Sequence, residues 1–460
     1  MTTRQSNVTA AFIDLATFEL LESTLYGGDT AITYFVREVQ KCTWFSQIPV
    51  KLSMAGTPGW GSEFSYTVSR AADYLLGCWL RVQLPSLTAG TGTAGTFPAG
   101  VSWTPNVGHN LIKEVKVLFN DLEVQSMDSY TLDWWAAFMY PSGKKDGYNE
   151  MIGNVSTLVE PSTAAAAAQL KASYTLNIPL PFFFTRDSGV ALPTAALPYN
   201  DIKIQVTTRA LHELLCGWDV AGLDASGVSA AMVGSGAAQI QPSSTTLSNT
   251  DFECWCNYVV VSNDERSKMG AGPRDMVVEQ TQKVDDSAVT VSAATPRDIE
   301  KLFSFNHTVK ALFWSLENND HAETHNYRSS YSMTDPDVAT GFVLNGSNMV
   351  DQVTLKYDNT ERFTLNEDFF SLVQPFYFAN QVPSGNTGAS PVGYHMYSYA
   401  LNPMSSDPSG STNFGKLTNV ALKIRTSSHA TDDVKVKLLI RALNFNIVRI
   451  SGGALGFPVL

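Results

Sequence analysis

Charge is scarce in this chain. Charged residues make up 16% of its 460 positions while the apolar share is an ordinary 44%, against about 25% charge in typical soluble domains. Much of the surface must therefore be Ser, Thr, Asn, Gln, Gly and Ala. Charge depletion is a feature of interface cores, so the composition leans toward a subunit packed among neighbours. The net charge is −12, with no basic run anywhere. That excludes direct wrapping of nucleic acid, which needs clustered Lys and Arg to displace counterions.

Long apolar runs are missing too. Trp134 to Tyr140, one of the longest, has seven residues, far short of the roughly 18 that a membrane span requires. The N-terminal segment lacks the basic flank and unbroken apolar core of a signal peptide, since Asp14 and Glu19 interrupt it. Cysteines are few and odd in number, five at 42, 78, 216, 254 and 256. This is no disulfide framework, and a reducing compartment during folding is expected. Helical periodicity is nearly absent: residues 9 to 25 are the best candidate, and their apolar positions scatter around the wheel.

What is present is alternation. In Glu114-Val115-Lys116-Val117-Leu118-Phe119 the residues Val115, Val117 and Phe119 share one face, the pattern of a half-buried strand. Phe64–Val68, Ile202–Val206 and Val434–Leu438 read the same way. A chain of this length exceeds one core, and two domains suffice if they are all-β.

The chain also repeats itself. YFVREVQK (34 to 41) resembles MVVEQTQK (276 to 283), and FSY (64 to 66) resembles FSF (303 to 305). EVKVLFNDLEV (114 to 124) matches QVTLKYDNTER (352 to 362) at an offset of 238; YNDIKIQV (199 to 206) fits LTNVALKI (417 to 424) at 218, and CNYVVVS (256 to 262) fits FNIVRIS (445 to 451) at 189. Five matches in one order with a shrinking offset indicate a tandem duplication joined near SNDERSKMGAG, 262 to 272. Each copy has about eight strand candidates, and eight antiparallel strands in two sheets make a jelly roll. The expected fold is therefore all-β, two tandem eight-stranded antiparallel jelly rolls. Its parts are an arm (1–30), a first barrel (31–262), a linker (263–272) and a second barrel with tail (273–460). The first copy's strands B to I are expected at 32–40, 62–69, 74–84, 111–119, after Asn120, near 174–182, at 199–208 and at 253–262.

Three long connections then fall at one end of the first barrel: Pro85 to Asn110, Tyr140 to Ser173 and Arg209 to Phe252. Loops of this length are usually functional or flexible. The other end receives LPFFFTRDSGVALPTAALPYND, 180 to 201, whose counterpart is Asn402 to Lys416. Here Asp187-Ser188-Gly189 is a polar turn, with no His or acid forming a triad motif beside it. Phe182, Phe183 and Phe184 read as a barrel plug or a subunit contact, because aromatics dominate cores and interfaces. Phe182, Phe183, Phe184, Arg186 and Asp187 are the candidate base and interface contacts.

Other motifs carry little chemistry. HAETH (321 to 325) lacks the order of a zinc protease helix and sits in a loop; Cys254 and Cys256 share one side of a strand, too few for zinc alone. GSGAA (234 to 238) lacks the Lys-Ser/Thr of a phosphate loop. The sequons at Asn7, Asn154, Asn306 and Asn345 read as chance matches. No catalytic, cofactor-binding or metal-ligating residue is expected.

At LPFFFTRDSGVALPTAALPYND the chain closely resembles the major capsid proteins of iridoviruses, within the large double-stranded DNA viruses with double jelly-roll capsids. The likeness continues at AFIDLATF (11 to 18), YGG (26 to 28), YFVRE (34 to 38), NYVVVSNDERSKMG (257 to 270), GSTNFGKLTNV (410 to 420) and RISGGALGFPVL (449 to 460). The resemblance implies a non-enzymatic homotrimer with a pseudo-hexagonal outline that tiles an icosahedral virion shell, assembled in the host cytoplasm. It implies barrels standing upright, long loops outward and the base above an internal membrane. The implied partners are the chain itself, minor capsid proteins and internal membrane proteins. A jelly-roll carbohydrate-binding or hydrolytic protein is the alternative, and it predicts a saturable ligand or turnover. A minor capsid or penton component would not match along the full length.

Overall fold

In the computed structural model the described residues are 4–457 apart from 18, 38, 90–99, 161, 164–168, 219–224, 235–238, 249, 293–294, 320–330, 332–347, 384–392 and 428–432. The chain divides into two compact units, Met1–Trp44 and Phe45–Leu460. The first holds helix α1 (Arg4–Ala16) and a 3-10 turn at Leu20–Thr24. Every side chain described between 8 and 44 is exposed. The helix expected at 9 to 25 is thus two short pieces, as its scattered apolar positions offer no single face to bury.

Sixteen of the described strands build the two barrels of the second unit. The first eight are β1 (Phe45–Lys51), β2 (Glu63–Thr67), β3 (Tyr74–Leu84), β4 (Ile112–Phe119), β5 (Leu122–Asp128), β6 (Tyr174–Pro179), β7 (Ile202–Thr208) and β8 (Phe252–Val261). The next eight are β9 (Arg274–Asp285), β10 (Asp298–Phe303), β11 (Thr308–Asn318), β12 (Val350–Tyr357), β13 (Thr360–Asn366), β14 (His395–Ser398), β15 (Val420–Thr426) and β16 (Val434–Ser451). In the first half one sheet runs β1-β8-β3-β6 and the other β2-β7-β4-β5, with Ser53–Ala55 added beside β2. In the second half the orders are β9-β16-β11-β14 and β10-β15-β12-β13. Each strand of one half has its counterpart eight places on, and every pairing is antiparallel. This is a double jelly roll.

The expected strand at 32–40 does not form. Its place beside β8 is held by β1, in a ladder from Phe45 opposite Val261 to Lys51 opposite Trp255. Only one stretch can occupy that edge, so the counterpart of β9 is β1 and not YFVREVQK.

The hairpin repeat is exact in space. Asn120 and Asp121 lie at φ 49 and 65, and Asp358 and Asn359 at φ 49 and 64. Two successive left-handed residues make the turn whose twist suits a tight hairpin, and Asn and Asp tolerate it. The match at offset 189 is out of register. β3 begins at Tyr74 and β11 at Thr308, 234 residues later, which sets Cys78 over Leu312. Their ladder partners are Cys256 and Ala442, which are 186 residues apart. A slip of three would turn every side chain to the other face.

Alternation survives where one face is wet, as in β7, where every second residue is buried. It vanishes in β11, whose residues after Thr308 are all buried, because something covers both faces of that sheet. The three long loops of the first barrel interlace. Leu87–Ala89 pairs with Gln169–Lys171 and Ile240–Pro242, and Gly100–Trp103 with Ser162–Thr163 and Leu215–Trp218. The stretch expected as a linker forms helix α3 (Asn263–Gly270). Arg266 on it grips Asp73 through two bonds of 2.7 and 2.9 Å, which hold that carboxyl below its ordinary range.

Candidate functional site, the seam between the barrels

What covers the outer face of β11 and β16 is helix α2 (Ser129–Met139), which follows β5 of the first barrel. Asp128 caps it, accepting from the Thr131 amide at 2.8 Å and its hydroxyl at 2.6 Å, a standard use of a carboxylate at a helix start. Leu132 turns back into the first barrel's core. Trp134, Trp135, Phe138 and Met139 face the second barrel and cluster with Ala311, Phe313, Met396, Leu439 and Leu443. The rings of Phe138 and Phe313 lie 5.3 Å apart, and Tyr394 meets Phe138 edge-on at 6.3 Å.

Two ion clusters cross the seam. Arg441, 1% exposed in the middle of β16, donates to Asp128 at 2.7 Å and to Asp285 at 2.5 Å. Burial pushes the Asp128 carboxyl up, but the Arg441 guanidinium and the Thr131 bonds outweigh it and hold the group below its usual range. The second cluster joins Arg186, Glu279 of β9 and Lys310 of β11, with Glu279 paired to both cations. Arg186 also donates to the Met404 carbonyl at 2.6 Å and lies over the Trp135 ring at 4.6 Å. Two cations share one carboxylate, and burial with the charge of Arg186 pushes the Lys310 ammonium down to about 6.

At the loop end, Asp133 of α2 accepts from Asn106 at 3.0 Å and from Tyr394 of the second barrel at 2.8 Å. Burial raises it to about 6 despite these bonds. The free edge of β5 is covered as well. Gln280 and Thr281 of β9 donate side-chain bonds to the Val124 and Ser126 carbonyls at 2.6 and 3.3 Å, which satisfies edge groups that would otherwise invite pairing.

The residues singled out in the sequence separate here. Phe182, Phe183 and Phe184 are buried within the first barrel's core, their rings 5.2 to 5.6 Å apart. Their side chains are 0, 3 and 1% exposed in this chain. Arg186 turns into the seam and makes its contacts inside the chain. Asp187 is exposed, and its carbonyl accepts from the Val190 amide at 3.2 Å.

Cys254 and Cys256 face the core, where Cys78 stands opposite Cys256; all three are free thiols. Among the described residues no group of three or more His, Cys, Asp or Glu is placed to hold a metal. HAETH and Asn345 lie outside the described residues, as do 235–238 of GSGAA. Apart from Arg186, none of the charged seam residues stands out in the sequence as a contact. The available signal was a lone charge inside an apolar strand, Lys310 in TVKALFWSL and Arg441 in LLIRALNF.

The family of the major capsid protein N-terminus matches residues 33–262, and that of the large eukaryotic DNA virus major capsid protein matches residues 265–456. The chain belongs to this capsid protein family. The major capsid protein of Costelytra zealandica iridescent virus is 41% identical, with 100% of both chains covered. Those of Lymphocystis disease virus 1 and Frog virus 3 are 39% and 36% identical, each with 99% of both chains covered. Among solved structures, a chain of the PBCV-1 virus capsid superposes with a TM-score of 0.71 at 20% identity, covering 93% of this chain and 100% of that one. The Faustovirus major capsid protein gives 0.67 at 14%, covering 96% of each. At such identities the likeness shows the fold, the double jelly roll. As a member of the capsid family the chain is a structural, non-enzymatic protein of the virion shell.

Proposed function

We propose that three copies close into a ring of six barrels, a homotrimeric capsomer of pseudo-hexagonal outline, and that a lattice of such trimers tiles an icosahedral shell. One observation carries this reading. The two barrels match strand for strand, yet they join through unlike faces, the β5 edge and α2 of one against the β9-β16-β11-β14 sheet of the other. A contact between unlike faces of equivalent bodies repeats head to tail and forms a ring when its rotation closes.

In this reading residues 1–30 are an arm, 31–262 and 273–460 the two barrels, and 263–272 their junction. The interlaced loops face outward. The opposite end lies above an internal membrane and meets membrane and minor capsid proteins, with exposed Asp187 as a base contact. Assembly in the host cytoplasm fits a chain whose five cysteines are all free thiols. Size exclusion with light scattering at low and high salt tests the core of the proposal. With a 50.1 kDa chain, a trimer near 150 kDa that persists in high salt is expected, since apolar contacts are not screened. A monomer near 50 kDa overturns it.

A further inference from the structure

The counterpart of α2 in the second barrel is the segment after β13, a wide helical turn at Phe369–Val373 continued by helix α4 (Gln374–Phe378). Carried forward in sequence, the hairpin offset of 238 pairs the two segments, the turn Phe369–Val373 being wound as a π-helix where α2 is an α-helix. Leu132, in the first barrel's core, falls on Phe370, in the second barrel's core. Trp134, Trp135, Phe138 and Met139 fall on Leu372, Val373, Phe376 and Tyr377. The first four are 2, 9, 0 and 7% exposed; their counterparts are 38, 40, 70 and 72% exposed. The second barrel thus carries the same apolar ridge, and none of the described residues covers it. The edge strand beside it is bare too: six of the seven residues of β13 are exposed, whereas the equivalent β5 is covered by Gln280 and Thr281.

The receiving face also has a free copy. Phe313, on which Phe138 packs, corresponds through the offset of 234 to Trp79 on the outer face of β1-β8-β3-β6. Arg441 corresponds through the offset of 186 to Trp255. These two rings stack 6.4 Å apart with an interplanar angle of 13°, half-exposed. Lys51 and Arg81, both paired to Glu253, stand beside them.

We infer that the seam is used twice, once within each chain and once between chains: the ridge Leu372, Val373, Phe376 and Tyr377 of one copy seats on the Trp79–Trp255 face of a second copy of this chain. The occupant is another copy because ridge and face each repeat, position for position, the two halves of a contact already made inside the chain. This rests on the trimer reading and assigns its interface. Phe376 should meet the neighbour's Trp79 as Phe138 meets Phe313.

The test has two arms. In the first, the chain with Phe376→Glu and Tyr377→Glu, both exposed positions, is weighed by light scattering beside wild type, with circular dichroism as a check on folding. A fall from about three chains to one, with the β signal retained, is expected when buried interface aromatics are replaced by charge. In the second, Phe376→Cys and Trp79→Cys are combined in one chain carrying Cys42→Ser, then treated with a short bismaleimide. Covalent dimers and trimers should form from the double variant and not from either single cysteine variant, and this arm stands even where the charged variant misfolds. A wild-type trimer that keeps its mass in the charged variant and gives no cross-link overturns this interface and leaves the trimer reading intact. A wild-type monomer overturns the trimer reading itself, and this interface with it.

Discussion

Lys310 is fully buried between two strands with only half a counter-charge, since Glu279 also serves Arg186. Its ammonium is pushed down to about 6, while an unfolded lysine titrates near 10.4 (approximately). Between those values the unfolded chain binds the extra proton, so stability rises with pH across that window. Below about 6 the full cost of the buried charge is present. Replacing a buried ion by an apolar side chain of similar size is often neutral or stabilising. Lys310→Met should therefore melt higher than wild type near pH 6 and converge with it toward pH 9 to 10 (roughly the upper end of the window). Melting curves at stepped pH read this directly, and a variant with the wild-type slope would remove Lys310 as its source. Arg441 is the opposite case: it pairs with two carboxylates, and cutting it would leave buried Asp128 without a cation, while half-exposed Asp285 keeps Lys437 at 4.0 Å.

At the scale of elements, the hairpins were the most legible part of the sequence. β3 occupies 74 to 84, where a strand is expected, and the hairpin repeat at offset 238 holds through its left-handed turn residues. Legibility failed wherever a second layer covers a strand or a helix. β11 reads as a plain apolar run because α2 buries its outer face, and so does β16 beyond the alternating stretch Val434–Leu438; α2 itself shows only as the apolar run Trp134–Tyr140. Its start signal was nonetheless written in the chain, an Asp three residues before a Thr. Of the candidate contacts, Phe182–Phe184 were read correctly as aromatics that need burial, but composition cannot say whether a neighbour or the chain's own barrel supplies it. Phe138 on α2 is fully buried in the seam, so Phe138→Ala should cost about 3–5 kcal/mol as a cavity. Chemical denaturation would show it as a lower midpoint with an unchanged slope; a loss under 1 kcal/mol (about the size of a tolerated swap) would mean that the seam collapses around the gap.

For the whole molecule, the division at Trp44 makes its own prediction. Every described side chain between 8 and 44 is exposed. Limited proteolysis should cut there first, and a chain starting at Phe45 should melt within about 1 °C of the full-length protein, because surface changes away from packed features are nearly neutral. Calorimetry on the two lengths checks this. A marked drop on truncation would place part of the barrels' stability in the arm.

The sheet of β11 and β16 has no second face of its own to rest on until α2 is in place. Translation makes the first barrel and its helix before β11 leaves the ribosome, and domains generally fold in order of synthesis. The half made last is the half that needs a template, and the template is already folded beside it. Transposing the two barrels in the gene would ask the dependent half to wait, its apolar sheet open to whatever it met first.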